Sequence, residues 1–266
     1  PFIPAYKATA NGAFGGWQGI YAGVSMIFLS YIGFDSIAAN SAEAVNPQKT
    51  MPRGILGSLA IAVVLFVAVS LVLIGMLPYQ KYANSAEPVG LALRAAGHGG
   101  VATVVQTIAV VGMFTALIGM SMAGSRLIYS FGRDGMLPKW LGQLDKHQRP
   151  NRALWTLTII AIVIGAVFPF AFLSQLISAG TLIAFMFVSL GIYALRPREG
   201  KDIPVPEFKM PWYPVLPALA FVASLIVFWG LATDAKIYAG LWFVIGVVIY
   251  FAYGRSHSYL AKRDEK

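Results

Sequence analysis

The stretch FLSYIGFDSIAANSAEAVNP, Phe28 to Pro47, sets a glycine and an aspartate almost side by side inside an apolar run. A glycine costs a helix interior about 1 kcal/mol relative to alanine. A carboxylate at mid-bilayer costs about 2.5–3.5 kcal/mol on the insertion scale. Two uses would justify the pair. In the simpler one, Gly33 lets a neighbouring helix approach and Asp35 bonds to it. In the other, the helix unwinds between Ser30 and Phe34, so that its first half ends in unpaired carbonyls and its second begins with unpaired amide N–H groups. Such a break has opposite partial charges at its two sides and suits a zwitterion. The ammonium would lie toward the carbonyls of Phe28, Leu29 and Ser30, and the carboxylate toward the amides from Gly33 and Phe34 onward. Asp35 would add a full negative charge, suited to a basic side chain or a proton. Asn40 and Ser41 extend this polar face, whereas Glu43, about 12 Å farther along a helix, is expected to be solvated or paired near the headgroups.

The surrounding elements must be membrane helices. The 266 residues are 58% hydrophobic and 12% charged, and the charged share is about half that of a soluble domain. Absence of cysteine excludes disulfides, zinc knuckles and thiol nucleophiles. No phosphate-binding glycine loop, metalloprotease or nucleophile-elbow pattern occurs, so no metal, no cofactor and no enzymatic role are expected. The net charge of +9 comes from basic residues in short loops, which fits the positive-inside effect better than a nucleic-acid partner. The chain opens PFIPAYKATA without a methionine and is expected to be a piece of a longer one.

Apolar length predicts an all-α polytopic membrane protein with seven transmembrane helices. They cover Trp17 to Ala44 (interrupted), Ile55 to Met76, Val101 to Ser130, Ala153 to Phe170, Leu173 to Leu195, Trp212 to Ala232 and Lys236 to Tyr253. The fourth and fifth form a hairpin with its turn at Pro169 to Ser174. Of the 20 lysines and arginines, only Lys7, Lys81, Arg94 and Lys236 fall on one side. The charge bias therefore predicts an outside N-terminus and a cytoplasmic C-terminus. Asp35 is the sole acid in the central part of any predicted span.

Two loops carry signals of their own. NSAEPVGLALRAAGHGG predicts a short helix on the outer mouth, with Ser85, Glu87 and Pro88 at its start and Gly97 as its stop. GMLPKWLGQLDK sets Trp140, Leu141 and Leu144 on one face, either as an interfacial helix or as ordinary loop packing. Arg133-Asp134-Gly135 reads as a turn after a long helix in preference to a cytoplasmic gate element. Gly112, Ala116, Gly119 and Gly124, and the run Ser178-Ala179-Gly180-Thr181, read as packing positions.

Several of these stretches together resemble the amino acid–polyamine–organocation transporters, in particular the cationic amino acid transporter branch. YIGFDSIA followed by AEAVNPQKTMPRGI is similar to that family's sixth helix and the loop after it. SRLIYSFGRDGMLP is similar to the end of its eighth helix, ISAGTLIAFMFVSLGIYALRPRE to the tenth, and PEFKMPWYPVLPAL to the start of the eleventh. The resemblance implies the second half of an inverted-repeat, leucine-transporter-like fold. Residues 1–16 would be an extracellular leading segment and 17–195 the second five-helix repeat, family helices six to ten. Residues 196–211 would be a cytoplasmic loop, 212–253 two accessory C-terminal helices and 254–266 a cytoplasmic tail. It further implies a substrate site at Phe28, Leu29, Ser30, Gly33 and Asp35, with the middle of the third span, Met113 and Thr115, beside it. An aromatic gate of the family falls here on Phe28-Leu29, and only Glu43, preceded by Ala42, stands where the family often has two acids.

The function so implied is secondary active, proton-coupled uptake of amino acids, cationic ones included, by alternating access in the cell membrane. The partners would be the amino acid, the lipid bilayer and the absent first-repeat helices. A polyamine or neutral amino acid transporter or exchanger is the alternative. An integral membrane enzyme would need several polar groups at one depth, and a channel would need polar rings.

Overall fold

In lipid every backbone N–H and C=O must be satisfied within the protein, which leaves helices as the outcome for isolated apolar runs. The computed structural model describes residues 7–9, 12–39, 41, 44–82 and 85–257. It is helical apart from a small antiparallel hairpin, Lys7–Thr9 with Gly12–Phe14. The helices are α1 (Gly16–Ile27), α2 (Phe34–Ala39), α3 (Pro47–Met76), α4 (Pro88–Ala95), α5 (Gly99–Arg133), α6 (Asn151–Val167), α7 (Phe170–Leu195), α8 (Val215–Trp229) and α9 (Thr233–Ile249). Among the described residues, five segments are long and apolar enough to cross a membrane: Gly16–Ala39, Pro47–Met76, Gly99–Arg133, Phe172–Arg198 and Thr233–His257. The other two predicted spans are the apolar helices α6 and α8, of 17 and 15 residues.

The chain divides into two compact units, one made of residues up to Ile32 and from Leu127 onward, the other of Gly33–Arg126. In the first, α7 is the central helix, with α8 and α9 packed on it and α1 against α8. Ala179, Leu182, Leu231 and Ala239 form its buried core, and Phe28, Val227 and Phe228 pack on them. Phe172 meets Tyr238 edge to face at 5.0 Å, and Phe187 stacks on Phe243 at 5.8 Å. The α6–α7 turn is tighter than expected: it is Phe168-Pro169 alone, with Pro169 extended as the cap of α7. Ser178 and Ala179 are buried, as a packing run requires, while a methyl group on Gly180 would meet nothing.

Of the two readings for the segment after α5, loop packing fits: it holds a single 3-10 turn, Lys139–Gly142, that buries Leu141. The backbones of Gly132 and Gly142 cross with no room for a side chain: a Cβ on Gly132 would lie 2.8 Å from Leu141 C, and one on Gly142 2.8 Å from Arg133 Cα. Arg133-Asp134-Gly135 is a helix stop. Gly135 has φ 80°, and the N–H of Met136 reaches Phe131 O at 2.9 Å, a Schellman closure. The loop then folds around Asp145. Its Oδ1 accepts from the N–H groups of Arg149 and His147, both at 2.8 Å, and its Oδ2 from Asn151 Nδ2 at 2.6 Å. The two backbone N–H bonds, the one from Arg149 foremost, hold its carboxyl below the ordinary 3.8.

In the second unit α2 and α4 each pack on α3. Helix α4 is the short helix expected in this loop. Its start follows Ser85 Oγ, which accepts from Glu87 N–H at 3.3 Å, and its end is a Schellman motif on Gly97, φ 84°. There the N–H of His98 bonds Leu93 O and that of Gly97 bonds Arg94 O. Arg94 joins Glu87 at 2.7 Å and Gln106 Oε1 at 2.9 Å. On α5, by contrast, a methyl group at Gly112 or Gly119 would meet nothing among the described residues, so no packing partner explains them here.

Candidate functional site

The break in the first span is real and local. Helix α1 tightens into a 3-10 turn, Phe28–Tyr31, and Ile32 is then extended at φ −69°, ψ 136°. Gly33 follows at φ 134°, a conformation open to glycine and strained for other residues. Helix α2 starts at once with Phe34.

On the near side of the break the carbonyl of Leu29 accepts from Ile32 N–H at 3.1 Å. Ser30 is exposed and Leu29 half-buried. Phe28 turns its ring edge-on to Phe185 of α7, centroids 6.3 Å apart, and rests on the core of its unit. Phe185 carried no signal in the sequence, because ring contact depends on how α7 is rotated.

On the far side, Asp35 Oδ1 accepts from the N–H of Gly33 at 3.1 Å and that of Ser36 at 3.0 Å. The carboxylate thus satisfies the Gly33 amide at the break, and shares the Ser36 amide with Gly33 O, which accepts from it at 3.1 Å. Met120 of α5 reaches this side too. Its Cε lies 3.5 Å from where a Cβ on Gly33 would be, and its Sδ accepts from Ser36 Oγ at 3.4 Å. Met113 and Thr115 are not drawn in: Met113 is 63% exposed, and Thr115 turns its hydroxyl back to Val111 O at 3.2 Å. Met120 stands two turns beyond Met113 on the same face, about 10 Å along the axis. That heptad spacing was the available signal for it. Phe34 is half-buried. Asn40, Ala42 and Glu43 lie outside the described residues. Among the described residues no three His, Asp or Glu side chains gather as metal ligands.

An apolar multi-helix chain with a broken span, polar backbone at the break and a carboxylate beside it has the form of a membrane transporter segment. The family model described as "Amino acid permease" matches residues 4–253. The chain belongs to that family, within the amino acid–polyamine–organocation superfamily. It is 66% identical, over 96% of its length, to the branched-chain amino acid permease BcaP of Lactococcus lactis subsp. cremoris (strain MG1363), covering 54% of that protein. It is 34% identical to the branched-chain amino acid permease BcaP of Bacillus subtilis (strain 168), over 92% of the chain and 52% of the relative. The vacuolar cationic amino acid transporter 4 of Arabidopsis thaliana is 32% identical over 68% of the chain and 30% of its own length. The chain spans about half the length of the bacterial relatives it matches.

Proposed function

We propose that this chain is the second half of a secondary active amino acid permease that takes up branched-chain amino acids by alternating access, coupled to protons. The observation that carries the substrate class is the direction of Asp35. Its Oδ1 is bonded to the amides of Gly33 and Ser36, and the side chain nearest the break from α5 is the apolar Met120. A cationic side chain would want that carboxylate turned toward it, whereas an aliphatic one needs an apolar wall. The name of the relative at 66% identity supports the same reading. The substrate's ammonium and carboxylate would meet the backbone of Phe28, Leu29 and Ser30 on one side and of Gly33 and Phe34 on the other. Asp35, the acid beside the break, is the proton-coupling candidate.

In this reading α6 and α8 also cross, giving seven spans in the arrangement of an inverted repeat, with the first repeat supplied by the rest of the parent protein. The N-terminal end faces outside and the C-terminus the cytoplasm of the cell. The test is counterflow in liposomes holding the full-length parent. Leucine, isoleucine and valine should exchange and compete with one another, and lysine and arginine should not. Counterflow of lysine without competition by leucine would overturn the substrate class. Absence of counterflow for every amino acid would overturn the permease reading.

A further inference from the structure

The last four carbonyls of any helix lack partners within it, and those of α8 are satisfied in an unusual way. Tyr21 of α1 donates its hydroxyl to Ile226 O. Ser25, one turn on, donates to Val227 O at 3.0 Å and is fully buried. Phe228 O receives Leu231 N–H at 3.2 Å, and Trp229 O receives Lys236 Nζ at 2.9 Å. The N–H of Gly230 also reaches Ile226 O at 3.3 Å and Val227 O at 3.2 Å, so these two carbonyls take a second donor, and it comes from another helix. Gly230, where α8 ends, makes the approach possible: a Cβ there would run into Ser25 Oγ and lie 2.8 Å from Tyr21 Cζ. Two donors one turn apart, on two successive carbonyls, fix both the height and the rotation of α1 on α8. Helix α1 is the half of the broken span that ends at Phe28–Tyr31.

We propose that Tyr21 and Ser25 are positioning residues that clamp the first half of the broken helix to the end of α8, so that α1 and α8 move as one body during transport. This rests on the permease reading above, since a clamp on one half of the break matters where substrate binds at the break. The side chains touch neither substrate nor coupling ion. Their effect is to hold the carbonyl side of the break at a constant place relative to α7–α9, so that rearrangement at the break falls on its other side.

The experiment uses the full-length parent, with spin labels on cysteines replacing Trp17 of α1 and Leu219 of α8, both exposed. The expected result is one narrow inter-label distance, the same with and without branched-chain amino acid and on both sides of a pH step. Tyr21→Phe with Ser25→Ala should broaden that distance. It should also lower the maximal uptake rate per molecule about fivefold or more, with KM within about twofold. A distance that shifts when amino acid is added to the otherwise unaltered protein overturns the clamp. So does a double variant with less folded protein but an unchanged rate per molecule, because a purely structural contact behaves that way. If the parent moves no amino acid, the functional reading fails alone, and the label distances still decide whether α1 and α8 are clamped.

Discussion

The carboxylate of Asp35 reaches back along its own chain, its Oδ1 3.1 Å from the N–H of Gly33. One side chain thereby does two jobs that substitution can separate: it caps α2 and it carries a charge. Asp35→Asn keeps an oxygen that accepts from Gly33 and Ser36 and removes the charge. It should fold with a loss of about 1 kcal/mol or less, while uptake loses its dependence on the pH gradient. Asp35→Ala removes the cap as well, at about 0.5–2 kcal/mol. Thermal stability and pH-dependent uptake of the full-length parent measure the two effects side by side. Normal pH dependence in Asp35→Asn would leave Asp35 as a cap only.

Gly33 tests whether the break is limited by space or by backbone conformation. A Cβ there would sit at an ordinary 3.5 Å from Met120 Cε, so crowding is not the obstacle. The obstacle is the φ of 134°, and forcing it on alanine costs about 1–3 kcal/mol. Gly33→Ala should weaken uptake of every substrate alike, and adding Met120→Ala should not restore it. Rescue by Met120→Ala would mean that space, not backbone, sets the requirement.

The crossing of Gly132 and Gly142 leaves neither backbone able to yield. Alanine at either position should cut the yield of folded protein severely, seen as loss of the monodisperse peak on size exclusion in detergent. Gly165→Ala in α6, where a Cβ meets nothing, should be neutral or gain up to about 1 kcal/mol from helix propensity. Equal yields for the three variants would contradict the crossing.

The break was legible in the sequence because glycine and aspartate each violate the rules of an apolar helix, and together they marked it to within a residue or two. The stops at Gly97 and Gly135 were legible for a similar reason, as each is a local device read from one residue and its neighbours. The turn at Lys139–Gly142 was not. Trp140, Leu141 and Leu144 have helical spacing, but the segment crosses a backbone ten residues away at Gly132. The same limit explains Met120, Phe185 and the Tyr21–Ile226 bond, since which side chains meet depends on helix rotation.

The loop around Asp145 gives a pH dependence with a definite sign. Its carboxyl is held below 3.8 by the N–H groups of Arg149 and His147. Its contribution is therefore complete above 3.8 and is lost as pH falls through the lower folded-state value. Protection of the Arg149 amide, its exchange rate relative to the intrinsic rate at the same pH, should be high at neutral pH and fall only below 3.8. Asp145→Asn should exchange faster at neutral pH, with the difference vanishing in strong acid. Protection that already fades near neutrality would contradict the assignment.

Orientation is open to direct labelling, since the chain has no cysteine of its own. Cysteines at Ala86 and Asp234 should react with an impermeant reagent on intact cells, and those at Asp145 and Gly200 only after permeabilisation. The reverse pattern would invert the topology.

Helix α8 has 15 residues and so extends about 22 Å, whereas a bilayer's hydrocarbon core is about 30 Å thick. Its neighbour α7, with 26 residues, runs to about 39 Å. If α8 crosses as proposed, the two packed helices cannot both match one membrane thickness. Tilting relieves the long helix, but the short one is relieved only where lipid thins or flanking side chains stretch toward the headgroups. Trp212 and Trp229, both largely exposed at its two ends, are the kind of side chain that settles at that boundary. If α8 crosses as proposed, the proposed clamp to α1 would sit where the surrounding lipid is deformed, and acyl-chain length would become a variable acting on the break itself.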